Sequence, residues 1–227
     1  MANTCDEILE RLESLANPAN VAGMARYGIN PENTLGISIP VLRSIAKEIG
    51  KDHALAQELW ASGVHEARIL AGFIDDPEQV TEAQMEQWAA DFDSWDVCDQ
   101  VCGNLFDRLP LAYEKALDWS FREEEFVKRA GFALMAWLPV HDKKARDEQF
   151  ESFFPAIIRE STDGRNYVRK AVNWALRNIG KRDQTLNQRA IETAEEIARI
   201  DSKTARWIAG DALKELTSLG VQSRLKD

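Results

Sequence analysis

Residues 130–140 read Ala130-Gly131-Phe132-Ala133-Leu134-Met135-Ala136-Trp137-Leu138-Pro139-Val140, the longest uninterrupted apolar run in the chain. At eleven residues it falls well short of the roughly 20 that span a bilayer. Preceded by Lys128-Arg129, it reads as a helix that is apolar nearly all round, and such a helix is covered on every side by other protein. An Ala-Gly pair sits inside it. A small pair of this kind recurs in apolar helices at Ala71-Gly72, Cys102-Gly103, Ala171-Val172 and Ala209-Gly210, so that from 72 the steps to 103, 131, 172 and 210 are 31, 28, 41 and 38 residues. Irregular periods of that size suit antiparallel helix pairs stacked into a HEAT-like α-α superhelix, each burying its apolar face against its neighbours. A non-repetitive helical bundle is the alternative. A superhelix of this kind curves, and its concave face commonly binds something extended.

Working outward, almost every other segment repeats with helical period. Thr4-x-x-Glu7 is a capping box ahead of Ile8, Leu9, Leu12 and Leu15. Further helices are predicted at about 39–49, 53–61, 64–74, 81–90, 94–106, 110–119, 123–138, 143–159, 165–179, 184–199 and 202–218. Breakers such as Asp75-Asp76-Pro77, Asp163-Gly164 and Gly180 separate them. No stretch alternates with period two for long enough to build a sheet. The expectation is a single all-α repeat domain over 1–227 with a concave face.

Composition bounds the function. The 227 residues are 44% apolar with seven Trp, which excludes intrinsic disorder and allows a sizeable core. A net charge of −10 argues against a general nucleic-acid coat or a membrane-surface protein, both of which rely on excess cations. Cys5, Cys98 and Cys102 make no disulfide framework, and the opening Met1-Ala2-Asn3-Thr4-Cys5-Asp6-Glu7 is acidic where a signal peptide is basic and then apolar. These features lead to the expectation of a cytoplasmic protein. His53, His65 and His141 are scattered with no C-x-x-C, so no metal is expected. The phosphate-cradling and nucleophile-elbow glycine motifs are absent, which removes the corresponding nucleotide and hydrolase chemistries.

The charge is unevenly distributed. Residues 1–120 hold 21 acids and 8 bases, net −13, and residues 121–227 hold 17 acids and 20 bases, net +3. Between Gly164 and Arg182 lie six cations, Arg165, Arg169, Lys170, Arg177, Lys181 and Arg182, and no acid. One-sign patches of this kind usually meet an anion. On a helical wheel Val168, Ala171, Val172, Ala175, Leu176 and Ile179 form the core arc, and Trp174 falls roughly 130° from its centre, beside Lys170, Asn173, Arg177 and Lys181. Two readings fit. Either Trp174 stacks on a nucleotide whose backbone the cations hold, or it packs on the next repeat with its indole N–H bonded across the interface.

The helix after Ser94 has a similar character. Val97, Cys98, Val101, Cys102 and Leu105 define its buried arc, with the two cysteines as small apolar filler. Trp95 and Asp99, four residues apart on one ridge, lie about 80° and 120° from the arc's centre. Asp93 and Asp96 sit where carboxylates satisfy free N–H groups at a helix start. Asp99 is past that turn and implies exposure, a salt bridge or a functional site. Arg129 shares a face with Phe132, Ala133 and Ala136. It is either a paired arginine between repeats or a groove-floor cation for a phosphate or carboxylate.

Met24-Ala25-Arg26-Tyr27, Ser94-Trp95-Asp96-Val97-Cys98-Asp99, Val127-Lys128-Arg129-Ala130 and Lys170-Ala171-Val172-Asn173-Trp174-Ala175-Leu176-Arg177 occur in the order and at the approximate spacing of the AlkD-type DNA alkylation repair glycosylases. From about residue 20 to 180 the chain resembles that family. The resemblance implies a HEAT-like enzyme of base excision repair that removes cationic N3- and N7-alkylated purines, such as 3-methyladenine and 7-methylguanine, from duplex DNA without metal or cofactor. By position it implies Asp99 as the catalytic carboxylate, Trp95 and Trp174 as aromatics around the deoxyribose, Arg129 as the groove cation and Tyr27 as a further DNA-facing aromatic. Lys128, Arg165, Arg169, Lys170, Asn173, Arg177, Lys181 and Arg182 complete the expected DNA contacts of a monomer with no membrane partner. Ser94 stands where the family can have a second tryptophan. A HEAT-like module that binds branched or damaged DNA, or a protein partner, without catalysis is the rival expectation.

Overall fold

The computed structural model describes residues 4–225; residues 1–3, at the head of the acidic N-terminal stretch, and residues 226–227 lie outside it. Among the described residues every regular element is helical, as the sequence predicts. They fold into two compact units, one ending at Leu109 and the other beginning at Pro110.

The first unit contains α1 (Cys5–Ser14), α2 (Pro18–Arg26), α3 (Ile39–Ile49), α4 (His53–Ala61), α5 (His65–Ile74), α6 (Glu82–Ala90), α7 (Trp95–Asn104) and a 3-10 turn, Phe106–Arg108. The predicted capping box opens α1: Glu7 N–H donates to Thr4 Oγ1 at 3.3 Å and Thr4 N–H to Glu7 Oε2 at 3.0 Å. The core centres on Trp60 and Trp88, stacked with ring centroids 3.9 Å apart, with Phe92 edge-on to Trp60. Each such aromatic pair contributes about 0.5–1.5 kcal/mol beyond its buried area. α5 is buried along most of its length and packs on α3, α4 and α7. Gly72 permits the last of these contacts, because a Cβ there would stand 3.1 Å from Val101 Cγ2 and 3.4 Å from Val101 Cα.

The second unit contains α8 (Ala112–Trp119), α9 (Glu125–His141), α10 (Asp147–Glu151), α11 (Phe154–Glu160), α12 (Asn166–Ile179), α13 (Gln184–Ala198), α14 (Lys203–Leu216) and α15 (Leu219–Gln222). The apolar run on α9 is covered as its sequence requires: Ala130 to Ala136 are all buried, with α8 on one side and α12 on another. At Gly131 a Cβ would lie 2.7 Å from the Ser120 nitrogen and 2.9 Å from the Ala116 oxygen, so α8 and α9 touch backbone to backbone there. Gly210 faces open space. The recurring small pairs are therefore close-approach points at 72 and 131, whereas Gly210 does not serve that purpose.

Several elements differ from the sequence reading. The helix predicted over 143–159 is two helices, because Pro155 sits in the first turn of α11, where its missing N–H is harmless and from which no earlier turn can be continued. α9 runs on through Pro139 to His141. α2, which the periodicity did not reveal, has no fully buried residue and hence no apolar stripe.

Candidate nucleic-acid interface

In the first unit α7 presents the ridge that the wheel placed off the core. Val97, Cys98, Val101 and Cys102 are fully buried, while Trp95 and Asp99, one turn apart, are both half-buried. The Trp95 indole N–H donates to the Tyr27 carbonyl at 3.1 Å, which fixes the ring against the end of α2. Tyr27 caps that helix with 76% of its surface exposed. Tyr27 and Trp95 thus meet, and they line an apolar cleft of about 600 Å³ together with Met24, Ile37, Ile69 and Gln100.

The cleft is held open by buried polar contacts that the sequence reading missed. Glu66 on α5 is fully buried, and its carboxylate accepts from the N–H groups of Leu35 (2.8 Å), Gly36 (2.7 Å) and Ile37 (3.2 Å). That clamp fixes the loop forming one wall of the cleft. Gly36, at φ +80° and with the Asn17 oxygen 2.3 Å from where a Cβ would stand, is the residue that lets the loop pass. On the floor, His65 Nε2 and Asp96 Oδ2 are 2.9 Å apart, and Asp96 Oδ1 has no hydrogen-bond partner. Burial alone would lower the His65 pKa. The bond to Asp96 and its charge, with Glu66 and Asp93 adding to it, outweigh burial and raise it.

The helix start is built differently from the expectation. Ser94 occupies the N-cap without a side-chain capping bond; its Oγ accepts from Asn30 N–H at 2.9 Å. Asp93 Oδ2 accepts from Asn30 Nδ2 at 2.9 Å. Asp93 and Asp96 are therefore tied to the loop at Asn30 and to His65, and the simple capping role read from their positions is corrected.

In the second unit α12 keeps its predicted core arc, with Val168, Ala171, Val172, Ala175, Leu176 and Ile179 all fully buried. Trp174 is half-buried and packs edge-on against Trp137, centroids 5.3 Å apart at 84°, and Trp137 in turn stacks on His141 at 4.9 Å. This is a packing contact, but with the preceding helix α9 rather than with the next repeat. No hydrogen bond from the Trp174 indole N–H accompanies it among the described residues.

Most cations of the 164–182 window are engaged by the protein itself. Arg177 bonds Glu215 and lies 3.7 Å from Asp211; Lys181 reaches Glu215 Oε1 at 2.9 Å; Asn173 donates to Asp211 Oδ2 at 2.6 Å. Arg182 donates to the carbonyls of Pro139, Asp142 and Ala145 and lies over the Phe150 ring. Arg165 grips Asp163 at 2.6 Å and the Glu123 carbonyl, also at 2.6 Å. Burial of Asp163 opposes ionisation, but Arg165 holds its carboxyl below the usual carboxylate range. Arg169 lies 5.1 Å above the Trp207 ring and bonds Asn166. Lys170 alone among the six is exposed with no partner among the described residues.

Lys128 is 6% exposed and pairs with Glu160 at 2.6 Å; while that pair holds, its ammonium does not meet a solvent phosphate. Arg129 is equally buried, and its Nη1 donates to the Tyr167 carbonyl at 2.7 Å. Asp211 and Glu215, four apart on α14, are the acids the local window could not reveal. Their spacing repeats that of Asn173, Arg177 and Lys181 on α12, which is the one signal that pointed to the pairing.

A family model described as DNA alkylation repair enzyme matches residues 8–216. The chain belongs to that family. It is 22% identical over 201 residues to the uncharacterized protein Lin0241 of Listeria innocua serovar 6a, an alignment spanning 87% of this chain and 88% of the relative. A solved structure from a new family of proteins related to the HEAT-like repeat DNA glycosylases, with affinity for branched DNA structures, superimposes with a TM-score of 0.76 at 21% identity, covering 94% of this chain and 96% of that one. The fold of this family member is accordingly all-α and HEAT-like.

Proposed function

We propose that this member of the DNA alkylation repair family is a glycosylase that excises cationic N3- and N7-alkylated purines from duplex DNA, with Asp99 as the catalytic carboxylate. The observation that carries the reading is the α7 ridge: a half-buried carboxylate one turn from a tryptophan whose indole is fixed by Tyr27, in a chain of this family. An alkylated purine already bears positive charge. When its C1′–N bond breaks, the electron pair passes to the base and neutralises it, and the positive charge moves to the sugar. Asp99 stabilises that oxocarbenium-like sugar electrostatically and orients the water that adds to C1′, accepting its proton as the abasic product forms. The electron-rich face of Trp95 favours the same cation. The exposed Lys170 serves the backbone.

The test is release of 7-methylguanine or 3-methyladenine from methylated duplex. Wild-type protein is expected to release base above the spontaneous rate, and Asp99→Asn to lower the rate by about tenfold or more, since fixed charges at developing charge contribute several kcal/mol. Release equal to the spontaneous rate, or undiminished in Asp99→Asn, refutes the assignment. A second reading is favoured by the structural relative with affinity for branched DNA structures and by Ser94 in place of a tryptophan: a module that binds branched DNA without cleaving a glycosidic bond. Salt-dependent binding to a four-way junction with no base release selects it.

A further inference from the structure

The first unit holds seven of the chain's 28 Lys and Arg against 19 acids. Four of those seven, Arg43, Lys47, Lys51 and Arg108, line one open cleft of about 320 Å³ whose walls include Phe73 and Asn104 and no acid. In a unit that is otherwise net −12, four cations gather at a cleft with no carboxylate in its lining, which makes the potential there locally positive. Their contacts sharpen the point. Lys51 caps the end of α5 through the Phe73 and Asp75 carbonyls, at 3.1 and 2.6 Å. Burial, with the nearby Arg108, lowers its pKa against the opposing charges of Asp75 and Asp76. The Arg43 guanidinium lies 4.6 Å above the Phe73 ring and donates to Gln100 Oε1 at 3.3 Å. Lys47 and Arg108 are exposed, and their side chains have no hydrogen-bond or ion-pair partner among the described residues. Two cations are thus held by contacts with the protein and two, among the described residues, are not.

We propose that this cleft is a phosphate-binding site and that it holds a backbone phosphodiester of DNA engaged by the first unit. Gln100 links it to the Trp95–Tyr27 cleft, since it lines that cleft while its amide oxygen accepts from Arg43. Asn104, in the basic wall, is five residues beyond Asp99 on α7, a rise of about 7.5 Å along the helix axis. A strand with its sugar at Asp99 therefore brings a neighbouring phosphate to the basic cleft. The DNA source rests on the proposed function; the phosphate chemistry does not.

The experiment uses the full chain and the double variant Lys47→Ala/Arg108→Ala. Both residues are exposed, so the fold is expected to survive, and an unchanged melting temperature checks this. Binding to unmodified duplex is measured across salt. The expected result is an affinity loss of about tenfold or more at about 50 mM salt and a slope of log K against log salt shallower by about 1.8, two fewer neutralised phosphates. Lys47→Arg/Arg108→Lys should restore both. If wild type binds DNA and the double variant matches it in affinity and slope, the site is refuted and the glycosylase assignment is untouched. If wild type binds no DNA, inorganic phosphate is titrated into both proteins and followed by amide chemical shifts. Binding to wild type alone keeps the phosphate site, for a free phosphate-bearing ligand, and removes DNA as its source; binding to neither or to both overturns the proposal.

Discussion

His65 is 3% exposed and faces the Asp96 carboxylate at 2.9 Å, so its ionisation is a contest between burial and a single strong partner. The partner wins, and the imidazole is held above its ordinary range. Because the folded pKa is raised, the pair stabilises the native state fully below the unfolded imidazole pKa, near 6.5, and the contribution is lost as pH rises through the folded value. Asp96→Asn removes the carboxylate and leaves the burial. NMR titration of the imidazole is expected to give a pKa above 6.5 in wild type and below it in Asp96→Asn. A wild-type value at or below the ordinary one contradicts this account of the cleft floor. Thermal stability should fall with rising pH through this range in wild type, and less so in the variant.

At the scale of elements the contact in the second unit that decides how its basic face is used is α12 against α14. The basic face of α12 reads locally as an anion site because its own window contains no acid, yet Asp211 and Glu215 lie across from Asn173, Arg177 and Lys181. Burial works against the Glu215 carboxylate, but Lys181 and Arg177 outweigh it and hold its pKa below the usual range. Glu215→Gln should free two cations at once. If α12 serves DNA, the variant binds duplex more tightly than wild type, with a slope of log K against log salt steeper by up to about 1.8. Unchanged affinity and slope would assign Arg177 and Lys181 to the α12–α14 contact alone. The same elements explain how far sequence reasoning reaches. The core arcs of α7 and α12 were legible because a 3.6-residue period is local, and Trp95, Asp99 and Trp174 stood out as departures from it. The ion pairs Lys128–Glu160 and Arg177–Glu215 join residues 32 and 38 positions apart, and no periodicity encodes such a distance. The small helix α2 was illegible for the opposite reason, having no buried stripe to report.

For the molecule as a whole, net charge and local charge act at different ranges. The chain carries −10, of which residues 1–109 contribute −12 (19 acids, 7 bases) and residues 110–227 contribute +2 (19 acids, 21 bases). A DNA duplex still out of contact but within a Debye length feels the total, and at 0.01 M salt that length is about 30 Å. There the protein repels DNA. Within a few ångström the exposed cations Lys47, Arg108 and Lys170 attract it. Raising salt to 0.1 M shortens the screening length to about 10 Å, which removes the repulsion well before it weakens the contacts. The association rate constant for duplex is therefore expected to rise between about 0.01 and 0.1 M salt, while the dissociation rate constant rises throughout. A steered basic DNA-binding protein does the opposite, associating fastest at the lowest salt. Stopped-flow measurement over this range decides the matter. An association rate that falls monotonically with salt means that DNA sees only a basic surface, and that the acidic unit exerts no long-range control over encounter.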